Sequence, residues 1–183
     1  MSFALTQFAK ASLTDVMRTN KYFVEFEPIN FISKSKPEYG SYLITSATFP
    51  FFTFNTTEMP YGAFKESVVN GIDYDPVTFS IISDMNGKMM KFLIDLSNEI
   101  IDPKTGLFNF KDEYTLNISI SITTRYDVKV ADVDLIDAYL INIDPISLGY
   151  GQKDEMVLLN PSFKYKKANY KTYGLLEKFK FNT

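Results

Sequence analysis

The chain has 183 residues, 45% of them hydrophobic and 16% aromatic, which fills one core and is short for two, so a single domain over 1–183 is expected. It contains neither cysteine nor histidine, which removes disulfides, thiolate and imidazole metal ligands, a cysteine nucleophile and the commonest general base near neutral pH, and so disfavours catalysis. A net charge of -3 argues against tight, general nucleic-acid binding, which needs clustered cations to displace counterions from phosphates.

Residues 1–17 place Phe3, Leu5, Phe8, Ala11 and Val16 at loosely helical intervals and read as a short amphipathic helix or an N-terminal arm that orders on contact. They lack the basic start, apolar run and cleavage site of a secretory leader, and no stretch approaches the length of an apolar membrane span, so the chain is expected to be soluble and cytoplasmic when made. Residues 21–27 alternate Tyr22, Val24 and Phe26 inward against Phe23, Glu25 and Glu27, and Pro28 ends this first strand because it cannot donate to a ladder. Residues 29–40 read as a loop, 41–48 as a second strand closing at Pro50.

From Phe51 to Ile72 the chain is extended in character, interrupted at Met59-Pro60-Tyr61-Gly62, with Asn70-Gly71 as a hairpin-type dipeptide that predicts a strand on each side of it. A further strand is expected over 74–83, with Val77, Phe79 and Ile81 on one face. Asp84 is a natural N-cap for a helix running to about Ile100, whose Met89, Phe92, Leu93, Leu96 and Ile100 form one stripe suited to covering a sheet.

Residues 114–123 alternate without a break: Tyr114, Leu116, Ile118, Ile120 and Ile122 on one face, Thr115, Asn117, Ser119, Ser121 and Thr123 on the other. This describes an antiparallel strand with one dry and one wet face. The wet face is small and neutral, as suits either an ordinary solvated surface or the wall of a channel. The strand is expected to turn within 125–134 and return over 135–143; Pro145 stops the return, and 156–165 makes a last strand. Residues 163–183 hold Lys164, Lys166, Lys167, Lys171, Lys178 and Lys180 against Glu177 alone, interleaved with aromatics. Such a basic tail fits an acidic neighbouring subunit, or phosphates and bases.

Motifs for chemistry are absent: no phosphate-cradling glycine loop, no nucleophile elbow and no calcium loop. The acidic groups are Asp73 with Asp75, Asp132 with Asp134 and Asp137, and Asp154 with Glu155; the second could bind a hard cation through oxygen but lacks the glycine and glutamate that complete a compact loop. No catalytic, cofactor or metal residues are assigned. A carboxylate pair could serve glycoside chemistry, but without tryptophan the chain lacks the largest sugar-stacking platform.

The order of elements carries a resemblance. The run Arg18-Thr19-Asn20-Lys21-Tyr22-Phe23-Val24-Glu25-Phe26, the strand Tyr42 to Pro50 and Met59-Pro60-Tyr61-Gly62 are followed by a strand and turn over 77–86, a helix and the 114–143 hairpin. Asp144-Pro145 and a final strand with Phe163-Lys164-Tyr165 complete the series. In that order, over about 18–170, the sequence resembles the tail tube proteins of contractile-tailed bacteriophages. The resemblance implies a mainly β fold: two packed antiparallel sheets, as a sandwich or half-barrel, with one flanking α-helix, completing a large β-barrel on ring assembly. It further implies homo-hexameric rings stacked into a tube that conducts DNA without specific binding, within the virion tail, beside sheath, baseplate and tail terminator proteins and with no membrane partner.

Under this resemblance Thr115, Asn117, Ser119, Ser121 and Thr123 would face the lumen. Phe3, Phe8, Lys164, Lys166, Lys167 and Lys171 would contact other subunits, through the arm and a C-terminal extension over 171–183. Two segments, 29–38 and 173–183, are longer than a minimal tube subunit needs and leave open an adaptor ring between tube and baseplate. A monomeric β-sandwich that binds nucleic acid or carbohydrate is the third alternative.

Overall fold

A computed structural model describes residues 21–28, 43–62, 64–124, 127–146, 149 and 156–173. Ten strands and two helices follow in the order β1 (Tyr22–Pro28), β2 (Ile44–Ala47), β3 (Phe52–Tyr61), β4 (Phe64–Tyr74), β5 (Val77–Ile82), α1 (Lys88–Ile100), α2 (Lys111–Tyr114), β6 (Leu116–Thr123), β7 (Lys129–Ile143), β8 (Leu158–Leu159), β9 (Pro161–Lys164) and β10 (Lys167–Thr172). All pairings are antiparallel. Eight strands form one sheet along the path β1-β6-β7-β9-β5-β2, with β10 added to β7 and β8 to β5, while among the described residues β3 and β4 pair only with each other. The mainly β expectation with one substantial helix holds.

The long strand β7 connects the two layers. Its first half pairs with β6 and β10, its second half with β9, and between them Asp137 takes a φ of 52° where the strand bends. The halves of the sheet thereby face each other. Phe26 of β1 meets Phe79 of β5 at 5.6 Å and Phe163 of β9 at 5.9 Å between ring centroids. Of the inward residues read from alternation, Val24, Phe26, Val77, Phe79, Ile81, Leu116, Ile118 and Ile120 are buried, while Tyr22 and Ile122 are only half-buried. Each large buried one contributes about 1.5–3 kcal/mol by leaving water.

Helix α1 closes the core. Met89, Phe92, Leu93 and Leu96 are buried, Phe92 lying 5.8 Å from Phe26. The helix starts later than the sequence predicts, because Gly87 at φ 64° supplies a left-handed N-cap. Asp84 still caps, but from one turn outside: its Oδ1 accepts from the Met89 N–H at 3.3 Å and its carbonyl from the Gly87 N–H at 2.9 Å. No helix among the described residues is long and apolar enough to cross a membrane.

Several expectations are corrected. Asn70-Gly71 is not a hairpin turn: it lies inside β4, neither residue takes a positive φ, and the chain reverses instead at Gly62, with φ 61°. Asn70 is the extra residue of a bulge, since Asn55 pairs with Gly71 and Thr56 with Val69. The interruption at Met59-Pro60-Tyr61 is the end of β3. Tyr114 closes the one-turn helix α2, and the alternation of β6 holds only from Leu116 to Ile120, beyond which Ser121 and Thr123 are buried and Ile122 half-buried. The return strand starts at Lys129, after a tight turn in which Thr124 N–H donates to Val128 O at 2.8 Å. Finally, Lys167–Thr172 is strand rather than tail, with Ala168 buried and Tyr170 half-buried toward the core. The arm 1–17, the loop 29–40, the pair Asp154 and Glu155, and 174–183 lie outside the described residues.

Candidate assembly surfaces

Two surfaces stand out, one polar and one apolar. The polar surface is the outer face of β1, β6, β7 and β10. Registration sets Glu25 against Ser119 and Glu27 against Asn117, then Ser119 against Asp134 and Ser121 against Asp132, then Asp132 against Lys171. Small neutral side chains therefore form the floor of this face, and longer charged ones stand along both sides.

The sides reach over the floor. Ser119 Oγ donates to Asp134 Oδ1 at 2.8 Å, and Lys171 Nζ donates to Asp134 Oδ2 at 2.8 Å. Tyr173 OH and Lys129 Nζ both donate to Asp132 Oδ2, at 3.1 and 3.4 Å. Burial pushes the Asp134 carboxyl up, but the bonds from Lys171 and Ser119 outweigh it and hold the group below the usual carboxylate range. The Asp134 bond raises the Lys171 ammonium in return. Of the five residues placed on this face by sequence, Asn117 and Ser119 are half-buried and Ser121 and Thr123 buried, Thr123 lying beyond a register shift in β6. Thr115 precedes the strand as the buried C-cap of α2.

The three aspartates weighed as a cation site are held by separate lysines: Asp132 by Lys129, Asp134 by Lys171 and Asp137 by Lys166 at 3.5 Å. Among the described residues no group of acidic side chains is arranged to hold a metal ion. Lys166 and Lys171 thus have partners in their own chain, whereas Lys164 and Lys167 stand exposed on β9 and β10. Phe3 and Phe8 lie outside the described residues.

The apolar surface is the β3–β4 ribbon. Every residue of β3 is exposed, and in β4 only Gly71 and Tyr74 are partly covered. The base of the ribbon is tied to the body through rings: Phe52 to Tyr170 at 5.8 Å and Tyr74 to Tyr165 at 5.4 Å. Toward the tip, Met59, Tyr61, Phe64, Val68 and Val69 are open. A lone two-stranded ribbon is marginal in water, and unpaired strand edges invite a partner. The run of apolar residues flanked by Asn-Gly was the signal available for this element.

Comparison with known proteins gives a consistent picture. A family model described as phage tail tube protein matches residues 17–172. Among solved structures, a chain of the PVC sheath-tube complex of an extracellular contractile injection system in the extended state superposes with TM-score 0.65 at 10% identity, covering 90% of this chain and 97% of that one. A chain of the anti-feeding prophage cap, which terminates the tube, gives TM-score 0.63 at 14% identity, covering 86% and 92%. A chain of the six-fold symmetrised anti-feeding prophage baseplate gives 0.59 at 8% identity, covering 86% and 96%. At these identities the likeness is one of fold. No curated protein sequence matches the chain.

Proposed function

This chain belongs to the phage tail tube protein family, and from that premise we propose that it is the ring-forming subunit of a contractile tail, closing as a hexamer and stacking into the conduit for DNA. The observation that carries the ring is the β3–β4 ribbon, whose exposed strands leave apolar side chains and strand edges that copies of the chain would cover. Six copies are favoured because a similar fold occurs in a six-fold baseplate assembly. Sheath, baseplate and terminator proteins are the expected neighbours, since similar folds come from sheath-tube, baseplate and cap assemblies. Lys164 and Lys167, exposed on β9 and β10, are placed at contacts between subunits.

The polar sheet face is assigned to the bore. It joins the half-buried floor residues Asn117 and Ser119 to the acidic sides Glu25, Glu27, Asp132 and Asp134, of which the last two are paired with lysines, while Ser121 and Thr123 are buried beneath the face. A passing duplex would meet carboxylates and neutral hydroxyls, which repel or ignore phosphates and let the polymer slide. Negative-stain imaging of the purified protein tests the assignment: rings or tubes of uniform width are expected. A monomer by light scattering over a wide concentration range, retaining DNA in a salt-sensitive way, would instead make it an independent binding module.

A further inference from the structure

The bulge at Asn70 divides the ribbon into halves whose apolar faces are opposite. Strand β3 has no inserted residue, so Phe52 and Phe54 share one face with Thr56, Glu58 and Pro60, while Thr53 and Asn55 share the other with Thr57, Met59 and Tyr61. In the base half, Phe52 and Phe54 pair with Tyr74 and Ile72 on the first face. Beyond the bulge most of the large apolar groups, Met59, Tyr61, Phe64 and Val68, lie on the second face, with Val69 and Pro60 left on the first. Polar bonds mark the same reversal. Asn55 Nδ2 donates to Asp73 Oδ2 at 2.7 Å on the second face of the base, whereas Lys65 Nζ donates to Glu58 Oε2 at 3.0 Å on the first face of the tip.

The two halves therefore serve different cores. The base face is partly covered by this chain's own rings, Tyr170 lying against Phe52 and Tyr165 against Tyr74. Among the described residues nothing covers the tip face, Tyr61 being 75% and Phe64 80% exposed.

The chain carries a matching surface elsewhere. After α1 a tight hairpin is fixed by the Ile101–Phe108 bridge, by Asp102 Oδ1 accepting from Lys104 N–H at 2.9 Å, and by Gly106 at φ 69°. It presents Leu107, Phe108 and Phe110, exposed by 67%, 76% and 80%. Among the described residues nothing covers these three large apolar groups. Charge agrees as well: Glu66 is the one ionic group on the tip face, and Lys104 sits in the hairpin turn beside the patch, with Asp102 already engaged by the turn.

We propose that the ribbon tip, through Met59, Tyr61, Phe64 and Val68, docks on the Leu107, Phe108 and Phe110 patch of a second copy of this chain, with Glu66 toward Lys104. Tip and patch are different surfaces, so every docked copy still offers one of each. Such a contact propagates around a ring or along a stack instead of stopping at a dimer. The choice of a second copy rests on the tube-subunit reading; the reversal of the ribbon does not.

The absence of cysteine makes the test direct. Glu66→Cys and Lys104→Cys variants are mixed under oxidising conditions, with Glu66→Cys plus Lys91→Cys, on the exposed side of α1, as the control. A covalent dimer in the first mixture and none in the control is expected. As a second arm, Phe64→Ser and Phe108→Ser should each raise the concentration needed for assembly about tenfold or more, the size of a lost interface aromatic, with an unchanged circular dichroism spectrum. Wild-type rings without the dimer, or with equal dimer in the control, overturn the docking and leave the tube reading intact. The dimer without rings or tubes does the reverse.

Discussion

The β-sandwich and the β3–β4 ribbon use the same alternating sequence code and come to opposite ends. In the sandwich, Phe79, Phe163, Ile118 and Leu135 are fully enclosed by their own chain. In the ribbon, Phe52 and Phe54 at the base and Met59 and Tyr61 at the tip take alternate positions along β3 and stay open to solvent. Alternation thus states that a face wants to be dry, but does not state whose atoms will dry it. The difference lies in partners: each sandwich strand has neighbours and an opposing layer, whereas the ribbon has rings beneath its base alone.

The largest effect is expected in the sandwich. Phe79→Ala, which removes a ring packed against Phe26 and Phe163, should cost about 3–5 kcal/mol in urea unfolding. A loss under 1 kcal/mol would break the contrast. At the joint, Phe52→Ala should cost about 1–2 kcal/mol, because its half-exposed ring touches Tyr170 and Phe54.

On the polar face, Asp134→Asn should cost about 1 kcal/mol at neutral pH, discounted for the exposure of both partners. The carboxyl is lowered in the folded state, so its contribution is complete above the unfolded value near 4 and is lost as pH falls through the folded one. Acid titrations of wild type and variant should therefore converge below about pH 4. Tyr165 behaves in the opposite sense. Burial first, then Tyr170 and Asp75, push its hydroxyl up to about 12, so the unfolded chain ionises first and stability falls between pH 10 and about 12. Tyr165→Phe should lessen that alkaline decline and change neutral stability little, since the hydroxyl is buried without a hydrogen-bond partner among the described residues. The smallest effect belongs to the tip. Phe64→Ser should shift unfolding of the isolated subunit by no more than about 0.5 kcal/mol, which sharpens the contrast when set beside its effect on assembly.

Much of the fold was legible. The inward residues of β1, β5 and β6 and the stripe of α1 follow from periodicity, because burial on one face leaves a mark at every second or every third and fourth position. The turn chemistry was harder. Asn70-Gly71 has the composition of a reversal, yet serves as a bulge, since only the pairing of Phe52 with Tyr74 fixes where the midpoint of the ribbon falls. Strand β10 was hidden by its charge: Lys167, Asn169 and Lys171 face outward between Ala168 and Tyr170, an alternation masked by the basic residues around it. Of the candidate bore, the small residues Asn117, Ser119 and Ser121 were legible. Their cover by Asp132, Asp134, Lys171 and Tyr173 was not, because it depends on register between distant strands.

What the sequence settled by itself is local and chemical: a β-rich chain with one amphipathic helix, without the side chains for disulfides or imidazole chemistry, and ordered along its length like its tube-forming family. Backbone geometry and side-chain periodicity act over a few residues and need no partner to be read. Tertiary structure alone decided which strands are neighbours, where β7 bends between layers and how one extra residue turns the ribbon's apolar side over. Those features follow from pairing and packing across the whole chain, where a shift of one position exchanges the inside of a strand for its outside.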